Sequence, residues 1–220
     1  MERRRLLKLA AAASLLPGGV SALIRSALAA GVNPAQNGLQ KLVGQVTVNE
    51  RPARPGTLIK LGDTVATGPQ SEAVYVIGQE AFLQRENSVV HFFSDAAEGF
   101  FRLATGKMLS VFGRGPKKIY VPTATIGIRG TGCYIEALPK KTYFCLCYGE
   151  ALVTPTAAPQ QEEVVRTAHH DHPIYIHGDP AMPTSMVGAE VINHSDAELT
   201  MLENLVGRWP PFHGKVDSGY

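Results

Sequence analysis

The 220-residue chain is 45% apolar and 18% charged with a mean hydropathy near zero, which describes a globular protein with one ordinary core and excludes a disordered or collagen-like polymer. Its 22 Gly and 15 Pro interrupt the sequence too often for a helical bundle. The formal charge of +2 hides an asymmetry: residues 1–30 hold five basic residues (Arg3, Arg4, Arg5, Lys8, Arg25) and one acid (Glu2), leaving 16 basic against 18 acidic residues, a balance with no electrostatic case for gripping nucleic acid.

The chain opens on Glu2-Arg3-Arg4-Arg5-Leu6-Leu7-Lys8, an apolar run through Leu16, and small residues at Ala27-Leu28-Ala29-Ala30. Basic head, apolar middle and small-residue end read as an export signal of the twin-arginine type over residues 1–30, with cleavage near Ala29 or Ala30 and a periplasmic destination. Pro17-Gly18-Gly19 and Arg25 cut the run below the ~20 apolar residues of a membrane span, and no later stretch reaches that length. Residues 31–41 read as a flexible lead-in. From 42 to 153 come short β-branched or aromatic runs bounded by Gly, Pro, Asn or Asp, at 42–49, 73–77, 81–85, 88–93, 107–112 and 118–121, the pattern of an all-β sandwich, barrel or short solenoid. A hairpin follows, 133–137 turning through Pro139-Lys140-Lys141 into 142–147, and a last run at 151–153. Residues 154–206 form a His-bearing extension closed by one helix, with Ser195 or Asp196 as N-cap and Gly207 as stop. The tail at 207–220 is Pro/Gly-rich and loose.

Two stretches carry a family likeness. Gly56 through Gly68 ends in Gly62-Asp63-Thr64-Val65-Ala66-Thr67-Gly68, and Val121 through Thr131 ends in Gly127-Ile128-Arg129-Gly130-Thr131. Together, and in order, they resemble the opening and later motifs of FecR domains, and Gly106 through Val111 and Tyr148 through Val153 fit the strands that the family places beside them. The resemblance covers roughly residues 41–153 and implies an all-β, FecR-like fold. In the family's best-known members the domain is the periplasmic part of a transmembrane regulator. Here an export signal stands where those proteins carry a cytoplasmic segment and a spanning helix, so the likeness implies a periplasmic sensing, scaffolding or regulatory module whose partner is another envelope protein. Physically, Gly62-Asp63 and Thr67-Gly68 suit tight turns in which Gly supplies positive φ and the oxygen of Asp or Thr accepts a backbone N–H. Arg129, between two glycines, reads as a clamp laid against backbone carbonyls rather than a ligand-binding group.

All three cysteines fall in or beside the hairpin. A turn centred on 139–141 sets Cys133 opposite Cys147 and Ile135 opposite Cys145, placing all three sulfurs on one face. Two readings stay open. One is a disulfide from Cys133 to Cys147 or Cys145, with a leftover thiol. The other is a copper or zinc site completed by His169, His170, His172 and His177, since thiolate and imidazole together suit those ions. His91 reads as a packed residue, and His194 and His213 have no evident partner. No Gly-x-Ser-x-Gly elbow, phosphate-binding Gly-Lys-Ser/Thr loop or His-Glu-x-x-His helix is present, and the expectation is a non-catalytic binding module.

Overall fold

The structure is a computed structural model describing residues 20–95, 97 and 99–214, so the paired arginines and the apolar run of the expected export signal lie outside the described residues. The strands are β1 (Gly38–Val43), β2 (Val46–Val48), β3 (Arg51–Pro52), β4 (Thr64–Thr67), β5 (Glu72–Ile77), β6 (Glu80–Gln84), β7 (Val89–Phe92), β8 (Phe101–Val111), β9 (Pro116–Val121), β10 (Ala124–Arg129), β11 (Gly132–Leu138), β12 (Lys141–Pro155), β13 (Glu163–Thr167), β14 (Ile174–His177) and β15 (Met186–Gly188). Helices α1 (Val20–Ala30) and α2 (Asp196–Leu205) flank them. Among the described residues no helix is long and apolar enough to cross a membrane.

The strands form two layers that share their two longest members. One layer runs β1-β5-β6-β8-β11-β12-β14-β15 and is antiparallel throughout. The other runs β3-β2-β4-β7-β8-β9-β10-β12-β13, with a single parallel pair, β8 with β9. β8 leaves one layer and enters the other at Gly106, and β12 does so at Gly149. Both glycines sit at positive φ, +94° and +100°, and a Cβ at Gly106 would press to 2.1 Å from Ser88 Oγ. A residue without a side chain is what lets a strand bend sharply enough to switch sheets. The all-β class expected from the sequence holds, and the shared corner strands give it a closed sandwich form.

Burial explains why the two layers read differently as sequence. In the second layer, Ala124, Ile126 and Ile128 of β10 point inward while Arg129 is exposed, the alternation of a sheet with one wet face. In the first layer, Ala73 through Ile77 are all buried because both faces are covered. Between the layers lies an aromatic core in which Phe82 touches the rings of Tyr75, Phe92, Phe101 and Phe112. On the outer face of the first layer, Val74, Leu83, Leu109 and Tyr134 meet Leu199, Leu202 and Leu205 of α2 and Val20 of α1.

α2 begins where the sequence places it. Ser195 is the N-cap, its side chain accepts from the Glu198 N–H, and the Glu198 carboxylate returns to the Ser195 N–H, a capping box. The boundaries around the sheet are broader than the sequence reading. The stretch expected as a flexible lead-in already enters β1 at Gly38, and upstream its Asn33 and Ala35 N–H groups donate to the Asn204 and Leu205 carbonyls of α2. β13, β14 and β15, from the expected extension, pair into the layers. Phe212, from the expected loose tail, packs on Tyr148.

Candidate metal centre

The hairpin β11–β12 turns on Pro139 and Lys140, since Leu138 pairs directly with Lys141. The loop is one residue shorter than a turn centred on three residues, and that single step reverses which side chains share a face. Cys133 therefore sits opposite Leu146, and both point into the aromatic core. Cys145 sits opposite Tyr134 and faces the outer layer with Cys147. The expected grouping of three sulfurs is corrected to two, and all three cysteines are free thiols. A disulfide from Cys133 would have to cross the sheet.

What the outer sulfurs meet comes from two loops. After β13 the chain turns at His170, in the left-handed region at φ 53°, with its N–H donating to the Cys147 carbonyl at 3.1 Å. The loop is tied by Asp171, whose carboxylate accepts the Ala168 N–H and the Thr167 hydroxyl and is held below the usual carboxylate range by those bonds. Before α2, His194 stacks on the Tyr134 ring with centroids 4.7 Å apart. Cys145 Sγ, Cys147 Sγ, one nitrogen of His170 and one of His194 all lie within 4.8 Å of one another.

The outer bonds of the two imidazoles fix their inner atoms. His194 Nδ1 lies 2.7 Å from the Ile192 carbonyl oxygen, which can only accept, so this nitrogen carries the proton and Nε2 turns a lone pair inward. His170 Nε2 lies 3.1 Å from Asp196 Oδ1, so its Nδ1 is the inward atom. The inward nitrogens are 3.1 Å apart, and His170 Nδ1 is 3.4 Å from Cys145 Sγ. Two lone pairs and two sulfurs thus converge with no apolar group between them, a conflict that one positive charge relieves. Left to protons, the cluster polarises. A hydrogen bond from Cys147 and one from His170, once its inward nitrogen takes a proton, draw the Cys145 thiol far below its ordinary range, while burial pushes Cys147 up. Burial works against a charged His170, yet Cys145 and Asp196 outweigh it and raise its basicity.

Asp196 is the first residue of α2 and also takes His169 Nε2 at 2.8 Å, so both histidines of the pair rest on one carboxylate at a helix N-terminus. Cys145 and Cys147 are fully buried, and a surface cleft of about 420 Å³ lined by His170, Pro173 and Glu190 opens beside them.

No family model matches the chain, and no curated protein does. Two crystal structures of an anti-sigma-factor candidate from Parabacteroides distasonis are similar in fold, with TM-scores of 0.46 and 0.47 at 8% and 7% identity. The similarity covers 57% of this chain and 58% of theirs, so it spans less than two thirds of those proteins' own length.

The remaining sequence candidates divide. His169 supports the cluster from outside through Asp196, whereas His172 is exposed and His177, on β14, pairs with Lys141 of β12, both outside the convergent set. His194, read as partnerless, is central. The only sequence sign of it is its position one residue before the cap of α2, where a side chain is carried back over the sheet. In the family-like motifs, Gly62 does take positive φ, Asp63 accepts the Lys60 N–H at 2.8 Å, and Thr67 accepts the Ser88 N–H at 3.1 Å. Gly68 has no positive φ and instead lets Gln45 approach closely. Thr131 is buried, and Gly130 turns at φ +60°. Among the described residues Arg129 clamps no backbone carbonyl. It is exposed, because period-two alternation from the buried Ile126 and Ile128 sends it outward. His91 is likewise exposed, against Thr64 Oγ1 at 3.0 Å.

Proposed function

We propose that this protein is a zinc-holding β-sandwich module in which Cys145, Cys147, His170 and His194 bind one ion and lock the C-terminal segment onto the sheet. The observation that carries the reading is the pair of inward imidazole nitrogens 3.1 Å apart and 3.4 Å from a sulfur. Zinc bound at about 2.05 Å to nitrogen and about 2.3 Å to sulfur makes a tetrahedron with edges of about 3.3 Å between nitrogens and about 3.6 Å between nitrogen and sulfur. The spacing matches one ion and is too tight for a two-iron cluster held by the same ligand types. The outer partners are those of a metal-bound histidine, a carboxylate for His170 and a backbone carbonyl for His194. Four protein ligands close the coordination sphere, which favours a structural or sensing ion over a catalytic one. Of copper and zinc, the two-sulfur, two-nitrogen tetrahedron favours zinc.

Cys145, His170 and Asp196 also line up in the order of a thiol-based catalytic triad, but Cys145 is fully buried, and the second sulfur and second imidazole have no task in that chemistry. The setting we propose is outside the cytoplasm, on the strength of the twin-arginine-like leader and the FecR-like stretches, with another envelope protein as partner. A route that carries folded passengers suits a domain whose ion must be inserted first.

The test is elemental analysis of full-length protein purified without chelators. About one zinc per chain is expected, absent from Cys145→Ser and His194→Ala and retained in Cys133→Ser, whose sulfur faces the other core. Metal-free wild-type protein that takes up no added zinc, or equal loss in all three variants, overturns the reading.

A further inference from the structure

On the opposite side of the sandwich, the wet face of the second layer carries a groove of about 610 Å³ lined by Leu61, Phe100 and Leu152 and rimmed by Arg114, Lys118 and Arg129. That volume is in the range of small-molecule sites. Two neighbouring charges are already spoken for: Lys117 pairs with Glu80 at 3.0 Å and Glu150 with Arg166 at 2.7 Å. Among the described residues, Arg114, Lys118 and Arg129 enter no ion pair. An apolar trough therefore has three cations on its rim that pair with no acid among the described residues.

The floor gives a second, independent sign. Gly127 lies mid-strand in β10, where a glycine weakens a sheet and calls for a reason. The usual reasons are missing. Its φ is not positive, and among the described residues a Cβ there would meet nothing nearer than Leu152 at 3.9 Å, in contrast to Gly132, whose Cβ would strike the Tyr148 ring at 2.6 Å. Neither conformation nor packing demands Gly127, and its consequence is depth in the groove. Arg129, two residues on, stands on the same face of the strand.

We propose that this groove binds a small amphipathic anion. The apolar body lies over Gly127 between Leu61, Phe100 and Leu152, and a carboxylate or phosphate head meets the rim cations, Arg129 foremost. Guanidinium suits either head because its N–H fork matches paired oxygens. The site is separate from the metal centre and stands whether or not that centre holds zinc.

Isothermal titration of full-length protein with decanoate and with decyl phosphate, below their micelle concentrations, tests it against decanol and decyltrimethylammonium. Saturable one-to-one binding is expected for at least one anion, with the neutral alcohol weaker by about tenfold or more and no binding of the cation. Which anion binds tighter identifies the head group. Gly127→Leu fills the floor and abolishes binding, and Arg129→Ala weakens it about tenfold, both with unchanged circular dichroism. If Gly127→Leu fails to fold, Leu61→Asp on the exposed rim serves in its place and repels the anion. Equal binding of cation and anion, wild-type affinity in a folded groove variant, or attachment to anionic vesicles with no uptake of the soluble anions overturns the proposal.

Discussion

The two faces of the first layer are buried by different means. Its inner face is closed by rings, Phe82 among Tyr75, Phe92, Phe101 and Phe112, with Cys133 as one more small apolar group. Its outer face is closed by α2, with α1, from the expected leader, packed against that helix, yet two sulfurs, two imidazoles and a carboxylate are set into the same apolar cover. The inner face needs only shape, because dispersion and water exclusion are satisfied by any well-fitted apolar side chain. The outer face needs charge balance as well, because polar groups placed in a low-dielectric cover are costly unless matched. Two adjacent residues on one strand, Cys145 and Leu146, thus live under different rules.

The largest effect expected from this contrast is on the inner face. Phe82 is fully buried, and Phe82→Ala leaves a ring-sized void costing about 3–5 kcal/mol in chemical denaturation. The loss is the same for zinc-loaded and chelator-treated protein, and the zinc bound per folded molecule is unchanged. A loss that depends on the ion breaks the separation of the two faces.

The next effect belongs to the outer face. Asp196 accepts from both His169 and His170, and an Asn side chain has one acceptor oxygen and no charge. Asp196→Asn is expected to weaken zinc by about 10–100-fold in competition with a chromophoric chelator, the range for losing a partner behind a ligand. Denaturation of the ion-free protein changes little by comparison. Unchanged zinc affinity removes Asp196 from the site and leaves it as a helix-end charge.

How far the sequence reveals these faces follows from the same physics. The wet second layer is legible because alternation survives in Ala124, Ile126 and Ile128. The capping of α2 is legible because Ser195 and Glu198 stand at the spacing the cap requires. The doubly covered first layer yields strands but no orientation, since Ala73 through Ile77 are apolar at every position. The face of Cys133 is illegible for a narrower reason. Leu138-Pro139-Lys140-Lys141 accepts a turn of two or three residues, and one residue flips every side chain beyond it. His194 is invisible in sequence because its neighbours come from β11, β12 and the loop after β13, brought together only when α2 docks. Arg129 reads as internal because glycine neighbours suggest close packing, whereas a Cβ at Gly127 would meet only Leu152, at 3.9 Å, among the described residues.

The smallest effect expected concerns how α2 is held. Its first turn has two independent anchors, the capping box of Ser195 with Glu198 and the cluster reached through His194 and Asp196. Ser195→Ala removes one hydroxyl acceptor from the Glu198 N–H while the Glu198 carboxylate still reaches the residue 195 N–H, so the cost is about 1 kcal/mol. If the ion and the cap hold the same turn, the two are thermodynamically linked. The cap variant then binds zinc a few-fold more weakly, and the wild-type ion-free protein exchanges its α2 amides faster than the loaded protein does. Native-state hydrogen exchange on both forms reads this directly. Faster exchange confined to α2 and the loops at 168–173 and 189–195, with the aromatic core strands unmoved, places the ion's work on the outer face, and uniform acceleration through β7 and β8 places it on the whole sandwich instead.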